Sequence, residues 1–197
     1  MANTAYPRDL TTSDLSLSGF PWAHFRSTKA AVKMCTLLVL RGSVPSVIHI
    51  SEGKLHDVNI LDQLLPDARA FSMMDLGYID FARLHRQHQA RSGFVTRAKR
   101  NVDAQRRHSH PVTRSTGARF DQTLVLQGNQ SAKDYLQPLR GIRYKDPETG
   151  KRLLFITNNS ALPALSICAL YKARWQVQLF LQRIKGSVEK RMGYAAT

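Results

Sequence analysis

Near the C-terminus the chain reads Tyr171-Lys-Ala-Arg174-Trp175-Gln-Val-Gln178 and continues to Lys185. On a helix advancing about 100° per residue, with Tyr171 at zero, Arg174 falls near −60°, Gln178 near −20° and Lys185 near −40°. The four side chains share one narrow stripe. Such a stripe presents an aromatic, two cations and one central polar group to a polyanion. That central group is an amide. Two-metal phosphoryl transfer places carboxylates around ions about 3.5–4 Å apart, so a carboxylate would be expected there.

Two aspartates are the other candidates for chemistry. Asp9 opens a candidate strand running to Ser18, and Asp75 follows the apolar run Ala70–Met74 and precedes Leu76-Gly77-Tyr78. A strand end aims a carboxylate into a crevice held by a rigid sheet. Two such carboxylates on adjacent strands could hold Mg²⁺ or Mn²⁺, which prefer oxygen ligands. Taken singly, an aspartate at a strand end reads as readily as a turn or cap residue. His56-Asp57 reads as a helix start, with Asp57 favourable near the N-terminal dipole. His85 and His88 lie three apart on a helix, but no third metal ligand follows at a convincing spacing.

The elements that must position these groups alternate in kind. Ala30–Leu40 and Val44–Ile50 read as a hairpin around Arg41-Gly42-Ser43. Val58, Leu61, Leu64 and Leu65 predict a helix over His56–Leu65, stopped by Pro66. Then come the strand Ala70–Met74, a helix over Phe81–Ala90 and a strand at Phe94-Val-Thr. From Arg91 to Arg119 eight Arg or Lys stand against the single acid Asp103. From Arg97 to Arg119 the chain reads as a solvated, mobile basic loop or, more sharply, as a phosphate-tracking surface. Gln122–Gln127, Leu139–Tyr144 and Arg152–Thr157 read as strands, the last two joined by the turn Asp146–Gly150. Asn158-Asn159-Ser160 is expected to cap a long helix that begins near Pro163 and runs towards Met192. Trp175, Leu179 and Phe180 read as its core face. The expectation is one α/β domain over residues 1–197: a mixed sheet flanked by helices, with a basic, β-rich insertion at about 97–160 before the last long helix.

The bulk numbers narrow the partner. Twenty-nine basic against fourteen acidic residues give 197 residues a net charge of +15 and a pI of about 10.4. That field favours a polyanion, of which nucleic acid is the commonest. No apolar run approaches the roughly 20 residues that span a bilayer, and Met1-Ala-Asn-Thr lacks the features of a signal peptide. Cys35 and Cys168 lie in apolar runs without zinc-site spacing, which reads as buried free thiols in a reducing compartment. The expected location is the cytoplasm, or the nucleoid in a bacterium.

On these residues the chain resembles the DDE transposases of the insertion-sequence-four family, whose catalytic core is ribonuclease-H-like. The segments that carry the resemblance are Asp9-Leu-Thr-Thr-Ser-Asp14-Leu, Phe20-Pro-Trp-Ala, Gly53-Lys-Leu-His-Asp57, Met74-Asp75-Leu-Gly77-Tyr78-Ile-Asp80 and Tyr171 through Lys185. The last has the family's spacing of Tyr, two residues, Arg, three, the catalytic Glu, six, Lys. The resemblance implies that Asp9 and Asp75 bind divalent metal, Mg²⁺ or Mn²⁺, and that Gln178 stands at the catalytic glutamate's position. It implies that Tyr171, Arg174 and Lys185 contact the DNA backbone near the scissile phosphate. The activity implied is DNA transposition, by water attack at transposon ends followed by attack of the freed 3′-hydroxyl on target DNA. DNA is the implied partner, no membrane is involved, and a homodimer is left open.

The chain departs from the family pattern. Gln178 contributes no anion to balance a metal, and Glu189 lies about 16 Å further along the helix at 1.5 Å per residue. Leu76 replaces a common basic residue, and Pro7-Arg8 stand where an apolar strand should lead into Asp9. The chain starts close to Asp9 and ends soon after Lys185, so the family's end-binding region and further C-terminal helix are expected to be missing. The sequence reading is therefore a truncated transposase core of little or no activity. Its rival is a non-catalytic DNA-binding remnant. A nuclease of the same fold would need a substitute carboxylate, and an RNA-binding module would want exposed sheet aromatics that no motif supplies.

Overall fold

The computed structural model describes residues 5–15, 24–26, 29–39, 44–52, 59, 68–99, 101–175, 178, 179, 182 and 183, and from 8 to 52 it describes the strands alone. In chain order the strands are β1 (Ala5–Leu15), β2 (His24–Arg26), β3 (Lys29–Val39), β4 (Val44–Glu52), β5 (Phe71–Met74), β6 (Gly93–Arg97), β7 (Ala104–His110), β8 (Ala118–Leu126), β9 (Leu139–Lys145) and β10 (Arg152–Thr157). The helices are α1 (Phe81–Gln89), the single turn α2 (Ser131–Asp134) and α3 (Ala164–Ala173).

Among the described residues the ten strands form one sheet in the order β2-β3-β1-β5-β6-β10-β9-β8-β7, with β4 also paired to β3. β1, β5 and β6 run parallel at its centre. β3 is antiparallel to β1 and makes the expected hairpin with β4. On the other side β10, β9, β8 and β7 follow β6 in antiparallel succession. This is the α/β architecture anticipated from the sequence, a mixed sheet flanked by helices with added strands before the last helix, and it is consistent with a ribonuclease-H-like core.

Period-two alternation sends neighbouring residues to opposite sheet faces. Phe71 and Met73 of β5, Val95 of β6, Ile142 and Tyr144 of β9 and Phe155 of β10 pack with Ile167, Cys168 and Tyr171 of α3. Met74, Phe94, Leu139 and Ile156 turn the other way, onto Leu84 of α1 and Tyr135 just after α2. β5 is buried along its whole length, as a central parallel strand covered on both faces must be, and it therefore reads as a continuous apolar run. α1 starts at Asp80, whose Oδ1 accepts from the Arg83 N–H at 2.9 Å while Oδ2 pairs with the Arg83 guanidinium at 2.7 Å.

Four sequence expectations need correction. The loop expected from Arg97 to Arg119 contains β7, which is hydrogen-bonded to β8 although six of its seven residues are exposed. A strand exposed on both faces has no apolar alternation to announce it. β1 begins at Ala5, and Pro7 is buried within it. Pro7 is tolerated because the ladder to β3 starts only at Arg8. Asn159 does not cap the last helix: its Oδ1 accepts from the N–H groups of Ala161 and Leu162, and the N-cap position is Pro163. Trp175 is 59 % exposed and so is not core. The helix expected over His56–Leu65 (apart from Asn59), Phe180 and the end of the last helix lie outside the described residues.

Candidate active site

Asp75 sits where β5 ends, at the edge of the sheet towards which the parallel strands point. That edge is the usual ligand crevice of an α/β sheet. Its backbone is extended (φ −85°, ψ 174°) and it caps the 3₁₀ turn Leu76–Tyr78, with Oδ1 accepting from the Leu76 N–H at 2.8 Å. The backbone carbonyl of Asp75 accepts from Thr96 Oγ1 on β6 at 3.1 Å and from the Tyr78 N–H at 3.1 Å. Main chain and side chain are thus both fixed.

α3 brings two further groups to the same carboxylate. The Tyr171 hydroxyl donates to Asp75 Oδ1 at 3.0 Å, and Arg174 Nη2 lies 3.6 Å from Oδ2. The Arg174 guanidinium also stands over the Tyr171 ring at 5.6 Å, and the ring packs against Phe155 at 4.6 Å. Burial, then the Asp75 charge, raises the Tyr171 pKa well above its ordinary value, against the opposing pull of Arg174 and Arg97. The phenol therefore stays protonated and remains a donor. The Asp75 side chain is 41 % exposed while that of Arg174 is only 11 % exposed. The carboxylate faces solvent, and its partners approach from the protein side.

α3 itself is held in place by a buried ion pair. Arg140 on β9 clasps Asp121 on β8 through Nε and Nη2, at 2.8 and 2.6 Å. Its Nη1 donates to the carbonyl of Leu162 at 2.6 Å, just before the helix begins.

The sequence-designated residues are placed as follows. β1 and β5 pair in register, Ala5 with Phe71, Tyr6 with Ser72 and Pro7 with Met73. Continued by two positions, that register sets Asp9 level with Asp75. Asp9 also pairs with Thr36 of β3. Its side chain, like the whole of Lys185, lies outside the described residues. Gln178 is helical and exposed. Arg174 keeps right-handed dihedrals (φ −55°, ψ −31°), so an ideal continuation puts Gln178 about 20° round from Tyr171 and about 10 Å further along. What sequence reasoning missed is the direct contact of Tyr171 and Arg174 with Asp75. The resemblance implies contact of both with the DNA backbone and says nothing of Asp75.

The donor set suits a hard divalent cation only in part. A half-exposed carboxylate level with a second aspartate on the adjacent parallel strand offers the anionic oxygens that Mg²⁺ or Mn²⁺ prefers. Gln178 adds a neutral oxygen at most. Among the described residues no three His, Cys, Asp or Glu converge as a metal cluster. His88 Nδ1 instead lies 2.6 Å from the Tyr135 hydroxyl. Cys168 is a buried free thiol, its pKa pushed up to about 12 chiefly by burial. Among the described residues no helix is long and apolar enough to cross a membrane.

A family model described as a transposase DDE domain matches residues 18–188. A Sinorhizobium fredii protein named as a transposase is 27% identical over 168 residues, which are 83% of this chain and 47% of that protein. A Geobacillus stearothermophilus protein named as a transposase for the insertion sequence element IS5377 is 25% identical over 177 residues, 90% of this chain and 46% of that protein. The chain spans about half the length of these relatives.

Proposed function

We propose that this chain, which belongs to the transposase DDE domain family, serves DNA transposition through a site built on Asp9 and Asp75. In this reading the substrate is transposon-end DNA, hydrolysed at the strand end, with the freed 3′-hydroxyl then joined to target DNA. The observation that carries it is the Asp75 carboxylate, half-exposed at the end of β5 and held by Tyr171 and Arg174. The spacing of Tyr171, Arg174, Gln178 and Lys185 further favours the insertion-sequence-four branch. The chain is read as one domain, in which residues 97–160 are a basic, β-rich insertion.

Asp9 and Asp75 would hold the divalent ion, with the Gln178 amide as a neutral third group. Such an ion supplies Lewis-acid polarisation of the phosphate and a more acidic water. The chain's own residues do the positioning. Tyr171 and the Leu76 N–H orient Oδ1 of Asp75, leaving Oδ2 on the side of Arg174. Arg174 and Lys185 are assigned to the DNA backbone near the scissile phosphate. Because Gln178 brings no negative charge, cleavage by this chain is weak or nil.

The experiment is a Mn²⁺-supported nicking assay on a transposon-end duplex, comparing the unaltered chain, Gln178→Glu and Gln178→Glu with Asp75→Asn. Nicking should be gained with the glutamate and lost again with the asparagine. Robust nicking by the unaltered chain would contradict the impaired reading, and nicking that survives Asp75→Asn would remove Asp75 from the site. The second reading, a DNA-binding remnant without chemistry, is favoured by the exposed neutral Gln178 amide. It calls for salt-sensitive DNA binding together with no nicking in either Gln178 form.

A further inference from the structure

Six cations from four neighbouring strand ends converge on one groove. Arg97 and Lys99 come from the end of β6 and just beyond it, Arg119 from β8, Arg143 and Lys145 from β9, and Arg152 from β10. The groove has a volume of ≈ 710 Å³, and among the described residues no acidic side chain lines it. Sheet register sets Arg143, Lys145 and Arg152 on one face, and Arg97 lines the groove from the end of β6. Arg152 pairs with Lys145, Leu154 with Arg143, and Phe155 with Arg97, while Phe120 beside Arg119 pairs with Arg143.

Some cations elsewhere do meet carboxylates, as in Arg83–Asp80, Arg140–Asp121 and Lys172–Asp146. Among the described residues none of the six groove cations has such a partner. Arg143 stacks over the Phe120 ring at 4.7 Å, and all six residues are exposed. Crowding like charges raises the free energy of the folded chain, and a row of phosphates relieves it.

The groove also has a fixed relation to Asp75. β5 and β6 pair in parallel up to Met74 and Thr96, so one residue further Asp75 is level with Arg97. From β5 across β6, β10 and β9 to β8 are four strand steps of about 4.8 Å, about 19 Å in all. At about 3.4 Å per base pair that is roughly five to six base pairs of duplex.

We propose that this groove holds the backbone of duplex DNA to one side of the Asp75 site, through phosphate contacts that set position without reading sequence. The groove chemistry specifies phosphate; that the polyanion is DNA rests on the family reading above.

The test is fluorescence anisotropy with an arbitrary duplex of about 20 base pairs, titrated with NaCl, since each neutralised phosphate contributes about 0.9 to the slope of log affinity against log salt. The groove variant Arg119→Gln/Arg143→Gln/Lys145→Gln is compared with Arg106→Gln/Arg107→Gln/Arg114→Gln, which removes equal charge elsewhere. The expected result is a slope lowered by about 2.7 in the groove variant alone. Arg119→Lys/Arg143→Lys with Lys145 retained should keep the slope, separating charge loss from misfolding, and circular dichroism checks all three. An unchanged slope in the groove variant, or an equal fall in the comparison variant, overturns the groove while leaving the Asp75 reading intact. Failure of the unaltered chain to bind duplex DNA at all overturns both.

Discussion

The hydroxyl of Tyr171 donates to Oδ1 of Asp75 at 3.0 Å across 96 positions of sequence. That contact and the Phe155 packing divide the work of one side chain in two. Tyr171→Phe removes the donor and keeps the ring, and should cost about 1 kcal/mol at a carboxylate that is half in water. Tyr171→Ala also empties the space against Phe155 and should cost about 3–5 kcal/mol. Urea unfolding of the two variants checks this; equal losses would mean that the ring contributes nothing beyond the hydroxyl.

Arg140 and Asp121 form the ion pair that ties β8 and β9 to the start of α3. Both side chains are almost fully enclosed, so deleting one leaves the other charged and unpaired. Arg140→Ala should cost about 3–5 kcal/mol. Replacing both with apolar residues should recover part of that loss, which a double-mutant cycle in urea measures.

His88 meets the Tyr135 hydroxyl, and burial, then the neighbouring charge of His85, holds its pKa below the ordinary 6.5. As pH falls, the unfolded chain takes up this proton before the folded chain does. The contribution is complete above about pH 6.5 and is lost as pH drops through the lowered folded value. The unfolding midpoint should therefore fall between about pH 7.5 and about pH 5, and His88→Gln should flatten that fall. An unchanged slope in His88→Gln would show that other groups set it.

Gln178 predicts a specific metal phenotype, independent of cleavage. Mn²⁺ titrated calorimetrically should bind the unaltered chain weakly, and Gln178→Glu should tighten it by about tenfold, ~1.4 kcal/mol. Asp75→Asn should weaken binding in either background. Identical Mn²⁺ affinity with Gln and Glu at position 178 would place that residue outside the ion's reach.

The legible parts of the sequence were those in which one physical signal acted alone. β5 is a short apolar run ending in Asp75, and α1 carries its cap and stop in its own residues. β7 was not legible, because its place comes from backbone pairing with β8 while its side chains remain in water. Trp175 is not legible, because residue type alone does not fix burial, and a helix turning past Arg174 leaves that ring exposed. Spacing marked Tyr171 and Arg174 as belonging together, but which carboxylate they serve depends on how α3 lies over β5. Periodicity within α3 holds no information about that.

β7 ends the sheet among the described residues, and its outer rim carries Arg106, Arg107, His108 and His110. A bare strand edge is a template for a second chain. Two copies meeting there would set arginine against arginine. The charged residues that hid this strand from sequence reading thus disfavour edge-to-edge pairing of two copies at β7.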